Sequence, residues 1–203
     1  MSIKNVIFDF GQVLVHFEPS YMVGVYVEDA EDKALLEKVV FDRLYWDRLD
    51  KGTISNEETM SLIKARLPER LWDVADKIYY NWVYNIPEID GMSELLSHLK
   101  SKHGVRLFLL SNISNYFAIH SPEIPILKKL DGLVMSAPIG IVKPSREIFE
   151  HICKKYDITP SEAIFVDDRI ENIEGAIAYG IQGYVFDGDS EKLKKYLDKI
   201  LSK

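Results

Sequence analysis

The sequence predicts an α/β fold, in which a doubly wound, three-layer parallel sheet carries an inserted helical cap domain. Two patterns lead to this prediction. Short apolar runs rich in β-branched residues alternate with amphipathic stretches in the second half of the chain, which is typical of parallel strands joined by helices. The interval 17–87 breaks this alternation, because it has helical periodicity and no convincing strand-like run.

Five segments are predicted to be strands. They are Val6–Phe10, Val105–Ser111, Gly132–Ser136, Ala163–Asp167 and Gly183–Phe186. Right-handed crossover helices between them would cover both faces of a Rossmann-like sheet. The capping-box patterns Ser55–Glu58 and Thr159–Glu162 predict helix starts, and Gly180 predicts a helix end.

The helical interval divides the chain into two predicted domains, an α/β core of residues 1–16 and 88–203 and a cap of residues 17–87. All three tryptophans fall in the cap, where a small helical unit needs large side chains to fill its core. Core filling is the favoured role for any one of these aromatic residues, and the alternative is that a few of them face the cleft as a substrate wall. The cap residues that could line the cleft are Tyr21, Arg43, Tyr45, Trp46 and Trp82. The segment Asp47–Thr53 could turn toward Asp9, but we favour a solvated connection.

The composition excludes several classes of function. A formal net charge of −7 gives no basic surface for nucleic acid or an anionic membrane. Cys153 is the single cysteine, so neither a disulfide framework nor a thiolate metal cluster is expected. We find no signal peptide and no apolar run near the roughly 20 residues that span a bilayer. We therefore expect a cytoplasmic protein, and the sequence leaves its oligomeric state open.

Asp9 is the first candidate site residue. It ends the strand Val6–Phe10, and the carboxyl ends of parallel strands are where open α/β sheets bind ligands. A carboxylate at that edge can act as a nucleophile or as a metal ligand. Gly11 follows two positions later and offers no side chain.

Ser111 and Lys143 are candidates for binding an anion. Ser111 and Asn112 end the second predicted strand, where a hydroxyl and backbone N–H groups could hold phosphate oxygens. Taken alone, Ser111 is more simply explained as a helix N-cap. Lys143 precedes Pro144 in an irregular loop, and it could neutralise both a phosphate and Asp9. The alternative for Lys143 is a solvated surface side chain.

Asp167 and Asp168 end the fourth predicted strand. These two acids would repel each other and Asp9 unless a positive group lay between them. Mg²⁺, a hard cation that prefers oxygen ligands, is the most economical candidate. Because successive side chains of a strand point in different directions, we expect one direct ligand, Asp168, and one supporting group, Asp167.

The ordered set of these residues resembles the four motifs of the haloacid dehalogenase superfamily. The motifs are Asp9-Phe10-Gly11-Gln12-Val13, Ser111-Asn112, Lys143-Pro144 and Asp167-Asp168. The resemblance spans Val6 to about Gly180, and the helical interval matches the cap of that family. Within the superfamily the chain looks most like sugar-phosphate phosphatases of the α-glucose-1-phosphate phosphatase type, in which glycine also stands two positions after the nucleophile.

The resemblance implies a Mg²⁺-dependent phosphatase of small phosphorylated metabolites. Asp9 would attack phosphorus to form an aspartyl-phosphate that water later hydrolyses. Asp9, the backbone carbonyl of Gly11 and Asp168 would hold Mg²⁺, with Asp167 in support.

The same resemblance implies how the phosphoryl group would be bound. Ser111 and Asn112 would contact the transferring group, and Lys143 would pair with Asp9 and the phosphate. These roles agree with the chemistry of phosphoryl transfer, in which positioning and charge neutralisation dominate.

Gly11 departs from the pattern of most phosphatases in the superfamily, which have an aspartate there for proton transfer typically worth about 10²–10⁴-fold. His16 is the nearest alternative proton carrier along the chain. The departure keeps two alternatives open: a metal-independent 2-haloacid dehalogenase, and a phospho-ligand-binding or regulatory module without turnover. The Asp167-Asp168 pair argues against the dehalogenase, because that enzyme would leave three carboxylates without a cation.

Overall fold

Five parallel strands form one sheet in the order β3-β2-β1-β4-β5. The structure is a computed structural model that describes residues 2–202. The strands are β1 (Asn5–Phe8), β2 (Arg106–Ser111), β3 (Gly132–Met135), β4 (Ala163–Asp167) and β5 (Gln182–Val185). The predicted doubly wound sheet is confirmed, and each strand lies within about two residues of its predicted bounds.

Eleven α-helices occur in the described part of the chain. They are α1 (Pro19–Gly24), α2 (Ala30–Val40), α3 (Arg43–Asp50), α4 (Asn56–Lys64), α5 (Trp72–Asn81), α6 (Met92–His98), α7 (Asn115–His120), α8 (Ser136–Ile139), α9 (Arg146–Tyr156), α10 (Ile170–Tyr179) and α11 (Ser190–Leu201). Within residues 2–202, none of them is both long and apolar enough to cross a bilayer.

The central strand β1 delivers Asp9 to the edge of the sheet. β1 pairs with β2 on one side and with β4 on the other, so it lies where the strand order reverses. The Asp9 N–H donates to the Val166 carbonyl at 2.9 Å, which extends the β1–β4 ladder by one residue. Open sheets of this kind bind ligands at the carboxyl ends of the strands beside this reversal.

Apolar side chains cover both faces of the sheet, as expected for parallel strands. Ile7 packs on one face with Phe149 of α9 and Ile173 of α10. Val6 and Phe8 lie in the other apolar cluster, which also contains residues of α6, α11 and the helices between β1 and β2. The alternation of side chains along β1 therefore fills two separate apolar layers.

The interval between β1 and β2 is helical, with α1 to α5 followed by α6. Among the described residues it contains no named strand. The capping box at α4 is present, since the Ser55 hydroxyl accepts a hydrogen bond from the Glu58 N–H at 3.0 Å. The bounds of the cap, residues 17–87, stay a prediction, and the name "cap" is used below for that segment.

One predicted helix start is wrong and one predicted helix end is confirmed. Thr159–Glu162 forms only a 3₁₀ turn, Pro160–Glu162, and the Thr159 side chain makes no capping hydrogen bond. β4 begins at the next residue, so the chain has no room for a helix there. Gly180 ends α10 with a φ of 108°, a left-handed conformation that glycine adopts without steric cost.

Gly175 lets α10 pass close to the loop that precedes α9. A Cβ at this position would lie 2.6 Å from the Pro144 carbonyl oxygen and 3.1 Å from a ring carbon of Phe149. We therefore expect Gly175→Ala to lower the free energy of unfolding by about 1–3 kcal/mol through overpacking. Alanine is the better helix former, so the expected sign is opposite to helix propensity.

Urea unfolding would measure this effect, with Glu174→Ala as the matched control. Glu174 is an exposed neighbour on the same helix, so its replacement tests propensity without the steric contact. An unfolding midpoint for Gly175→Ala at or above that of the wild type would show that the helix and the loop separate without cost.

Candidate active site

The carboxyl ends of the central strands meet at one cavity of about 460 Å³. From the core, the predicted site residues that line it are Asp9, Gly11, Ser111, Asn112, Lys143 and Asp168. Asp167 is fully buried directly beside them, and its carboxylate lies close to those of Asp9 and Asp168. The structure thus brings together the residues of the four core motifs, although they are up to 159 positions apart in numbering (168 − 9).

Lys143 lies at the centre of this arrangement. Its Nζ is 2.8 Å from Asp9 Oδ1 and 2.7 Å from Asp167 Oδ2, and its side chain is 1% exposed. The alternative of a solvated surface lysine is therefore wrong. Burial lowers the pKa of Lys143, but the Asp9 and Asp167 carboxylates outweigh burial and hold the pKa above its usual value. Lys143 is thus a permanent cation under the cavity.

Asn112 holds the backbone on which Lys143 is carried. Its side-chain oxygen accepts a hydrogen bond from the Lys143 N–H at 2.7 Å, and its side-chain nitrogen donates to the Lys143 carbonyl at 3.1 Å. This two-point contact fixes an irregular loop against the end of β2. Both contacts of the amide group are to Lys143, so positioning is the role that the geometry shows. The predicted role of Asn112 in substrate binding stays a prediction.

Asp167 is occupied by neighbouring donors. Besides Lys143, the Asn172 side-chain nitrogen lies 3.0 Å from both carboxylate oxygens, and the Arg169 N–H donates at 2.9 Å. Asp168 is the least buried of the three acids and lines the cavity. The division between a supporting group, Asp167, and a direct ligand, Asp168, stays a prediction.

Asn172 was not predicted as a site residue. Its place in the first turn of α10, five positions after Asp167, is the signal that could have identified it.

The electrostatics of Asp9 favour a cation in the cavity. Burial raises the pKa of Asp9 to about 6, the Lys143 charge opposes this, and the Asp167 charge adds to it. Burial and the Asp167 charge also raise the pKa of Asp168. One oxygen of each of the three acids lies within 4.8 Å of the others, so three carboxylates face one ammonium group. A divalent cation with oxygen ligands fits this donor set and its excess negative charge.

Ser111 is buried at the end of β2 and faces Asp9. Its hydroxyl lowers the pKa of Asp9 through a hydrogen bond. The alternative role as a helix N-cap is wrong, because Ser114 caps α7 by accepting from the Phe117 N–H at 3.3 Å. The Ser111 hydroxyl is therefore available at the cavity.

A tight turn follows the nucleophile candidate. Gln12 has a φ of 58°, its N–H donates to the Val15 carbonyl at 2.8 Å, and its side chain donates to the Phe17 carbonyl at 3.0 Å. A Cβ added to Gly11 would lie 3.5 Å from the Phe17 Cβ, which is ordinary van der Waals contact. Packing therefore does not force glycine at position 11, and the lack of an acid there is a chemical property of the site.

The cap forms the other wall of the cavity. Its lining residues are Phe17, Arg43, Trp46, Asp47, Asp50, Lys51 and Trp82. The three aromatic rings pack edge to face, with centroids 5.3–5.5 Å apart. The interpretation of the segment 47–53 as a solvated connection is wrong in part, because residues 47–50 end the helix α3 and Asp47, Asp50 and Lys51 line the cavity.

Three of the five cap residues proposed for the cleft line the cavity, namely Arg43, Trp46 and Trp82. Tyr21 is exposed, and the Tyr45 hydroxyl accepts a hydrogen bond from Arg66 at 2.9 Å. His16 is exposed, and it is not among the cavity-lining residues in the described part of the chain. It is therefore a poor candidate for proton transfer.

Replacing Lys143 tests whether the buried acids depend on its charge. Removing one partner of a buried ion pair leaves an uncompensated charge and typically costs about 3–5 kcal/mol. We expect Lys143→Met to lower the free energy of unfolding by about that amount at neutral pH, with partial recovery on adding Mg²⁺. Urea titrations with and without MgCl₂ would measure it.

Lys154→Met is the matched control, since Lys154 pairs with Glu150 on an exposed helix face. We expect no change of stability for this variant. Equal stability of Lys143→Met and wild type without metal would show that the three acids are not ionised together.

Comparison with known proteins gives the family. A family model described as haloacid dehalogenase-like hydrolase matches residues 3–180. A D-ribitol-5-phosphate phosphatase from Bacteroides thetaiotaomicron is 30% identical over 84% of this chain and 85% of its own length. A sesquiterpene phosphatase from Aspergillus oryzae is 27% identical over 89% of this chain and 88% of its own.

A solved structure gives the same fold. A haloacid dehalogenase family enzyme from Bacteroides thetaiotaomicron, in complex with magnesium and inorganic phosphate, superposes with a TM-score of 0.69. The two sequences are 20% identical, and the match covers 95% of this chain and 99% of the other. The family model spans most of the chain and includes every motif that meets at the cavity. The chain is therefore a hydrolase that belongs to the haloacid dehalogenase-like hydrolase family.

Proposed function

We propose that the chain is a Mg²⁺-dependent phosphomonoesterase that acts on small phosphorylated metabolites, sugar phosphates among them, through an aspartyl-phosphate on Asp9. The observation that carries this proposal is the buried ion pair network Asp9–Lys143–Asp167 under an open cavity, with Asp168 beside it. It combines a carboxylate nucleophile with positive charge that can accept the phosphoryl group.

The arrangement suits the first half of a phosphoryl transfer. Two donors to Oδ1 hold the Asp9 carboxylate in one orientation, the Phe10 N–H at 2.7 Å and the Lys143 ammonium at 2.8 Å. Its other oxygen would attack phosphorus. The Ser111 hydroxyl and the Lys143 ammonium would contact the phosphoryl oxygens as negative charge redistributes over them. Such fixed donors stabilise the transition state without the reorganisation that water would need.

The metal would be held by Asp9, the backbone carbonyl of Gly11 and Asp168. Asp167 would support these ligands from below, since its own oxygens are taken up by Lys143 and Asn172. When bound, Mg²⁺ supplies positive charge against the phosphate and the acids. The excess of carboxylates over ammonium groups is the feature of this chain that calls for it.

The cavity and the relatives support a small substrate. A volume of about 460 Å³ lies within the usual range for small-molecule sites. Its floor is charged, and its cap wall combines aromatic rings with Arg43 and Lys51. Two phosphatases of small molecules, one named for a sugar-alcohol phosphate and one for a sesquiterpene, are among the relatives. The leaving group would lie against the cap.

The dehalogenase alternative rests on Gly11 and the aromatic wall. A halo-acid would place a carbon near Asp9 and would need no metal. Lys143 would then be the single cation against the three carboxylates, and it pairs with Asp9 and Asp167 but not with Asp168. The non-catalytic alternative predicts ligand binding without turnover.

Phosphate release from a panel of metabolites, measured with MgCl₂ and with EDTA, distinguishes these three functions. We expect release only with Mg²⁺. Chloride release from 2-chloropropionate with EDTA, and no phosphate release, would support dehalogenation. Phosphate binding without either product would support the regulatory module.

Asp9→Asn tests the nucleophile. The amide cannot form the acyl-phosphate, so we expect phosphate release to fall below detection while the thermal unfolding transition remains cooperative. Acid-quenched mass spectrometry of the wild type should show a phosphate adduct on the peptide containing Asp9. Asp73→Asn, an equal change of charge at an exposed position outside the cavity, is the control and should retain activity. Wild-type rates in Asp9→Asn would remove Asp9 from this role.

A further inference from the structure

The proposed reaction needs a proton donor that Gly11 does not supply. Among the described residues, four carboxylates and no histidine line the cavity. Asp9 and Asp168 already have roles as nucleophile and metal ligand in the proposed function. Asp47 forms an ion pair with Arg43 at 2.5 Å, and its side chain is 60% exposed. Asp50 is the remaining acid.

Asp50 is tied to the core domain by its own backbone. It is the last residue of α3, and its carbonyl accepts a hydrogen bond from the Ser136 hydroxyl at 2.5 Å. The same hydroxyl accepts from the Ile113 N–H at 2.8 Å, so it is anchored at the end of β2. The cap residue Asp50 is therefore held at a defined place over the sheet edge.

The turn after Asp50 approaches the core closely. Gly52 has a φ of 70°, and a Cβ there would lie 2.5 Å from the Ala137 carbonyl oxygen. Only glycine allows this contact without a shift of the backbone. Gly52 and Ser136 together hold the end of α3 against the residues that follow β3.

The Asp50 carboxyl itself has no hydrogen-bond or ion-pair partner among residues 2–202, although it is half-buried at the cavity. Every other acid at this site has a partner or a proposed ligand. A carboxyl group that is pinned by its backbone and free at its side chain is suited to exchange protons with a bound substrate.

From this geometry we infer that Asp50, supplied by the cap, is the general acid and base that replaces the acid missing at position 11. The inference rests on the proposed phosphatase function and adds a catalytic residue to it.

The surroundings of Asp50 favour its protonated form at neutral pH. The pKa of Asp50 is raised to about 8, chiefly by burial; Asp47 on its own helix and Asp9 on the core add to this, while Arg43 and Lys143 oppose it. A carboxylic acid with such a pKa can donate a proton near pH 7 and recover it afterwards.

The proton balance closes over the two steps. As the Asp9 oxygen forms its bond to phosphorus, the bond from phosphorus to the leaving oxygen breaks, and that oxygen takes the Asp50 proton to leave as an alcohol. Asp50, now ionised, accepts a proton from water while the water oxygen bonds to phosphorus. The bond from phosphorus to Asp9 then breaks, which releases phosphate and returns Asp9 ionised and Asp50 protonated.

The leaving group distinguishes an acid from a binding residue. Glycerol 3-phosphate has an alkoxide leaving group that needs protonation, whereas p-nitrophenyl phosphate does not. We expect Asp50→Asn to lower kcat/KM for the alkyl ester by about 10²–10⁴-fold, with a much smaller loss for the aryl ester. Where glycerol 3-phosphate is not a substrate, the alkyl phosphate that reacts best in the metabolite panel takes its place.

Asp73→Asn is the matched control, because it makes the same charge change at an exposed position of the cap helix α5 that does not line the cavity. We expect it to keep the wild-type ratio of alkyl to aryl kcat/KM. The pH profile gives a second measurement that does not depend on any variant. Wild-type kcat/KM for the alkyl ester should fall above about pH 8, as Asp50 loses its proton, and this alkaline limb should be absent from Asp50→Asn.

A stability measurement shows whether the Asp50→Asn variant is folded. Folding raises the pKa of Asp50 from 3.8 to about 8, so between these pH values the unfolded chain loses this proton while the folded protein keeps it, and stability falls as pH rises. Asp50→Asn should therefore have a Tm at least as high as the wild type at pH 8.

The results separate this inference from the proposed function. Equal losses of alkyl and aryl activity in Asp50→Asn, or no loss, would overturn the role of Asp50 and leave the phosphatase standing. An alkaline limb that persists in Asp50→Asn would overturn it as well. Absence of phosphate release from the wild type on every substrate would overturn the phosphatase and this role with it.

Discussion

The buried ammonium group of Lys143 is the interaction on which the site depends. Two carboxylates from adjacent strand ends, Asp9 and Asp167, lie within 2.8 Å of it. Placing such charges out of water costs several kcal/mol for each ion, and only close pairing with complete hydrogen bonding offsets that cost. Asn172 and the Arg169 N–H donate to Asp167, and the Phe10 N–H donates to Asp9. Asn112 holds the backbone of Lys143. Any one of these charges can therefore be buried without a large loss of stability only when four segments of the chain converge.

The second constraint is the contact between cap and core at the end of α3. A hydrogen bond from Ser136 to the Asp50 carbonyl and the close approach of Gly52 to Ala137 place the cap over the charged floor. The aromatic rings of Phe17, Trp46 and Trp82 form an apolar part of the cavity wall. Electrostatic interactions are stronger beside apolar groups than in water, because the local dielectric constant is lower. Burial in these surroundings is the largest cause of the raised pKa values of Asp9 and Asp50.

The relation between sequence and structure differs between the two halves of the site. The core motifs were predictable because apolar runs that end in polar residues mark strand ends, and parallel strands bring their carboxyl ends together. The cap contributions were predictable only in part, since Arg43, Trp46 and Trp82 were among the candidates for the cleft. The segment 47–53 resembles a solvated loop, and nothing local in it indicates the docking on Ser136 and Ala137. At Thr159–Glu162 the local capping pattern was overruled, because β4 begins immediately afterwards.

By itself the sequence determined the parallel sheet, the helical interval and the order of Asp9, Ser111, Lys143 and the Asp167-Asp168 pair along it. These follow from periodicity and from strand-end polarity, which act over a few neighbouring residues. Only the tertiary structure decided that Lys143 is buried rather than solvated, that Asn112 holds its backbone, and that Asp50 faces the cavity. The physical reason is that burial and charge pairing depend on segments distant in the chain, whose approach no local pattern encodes.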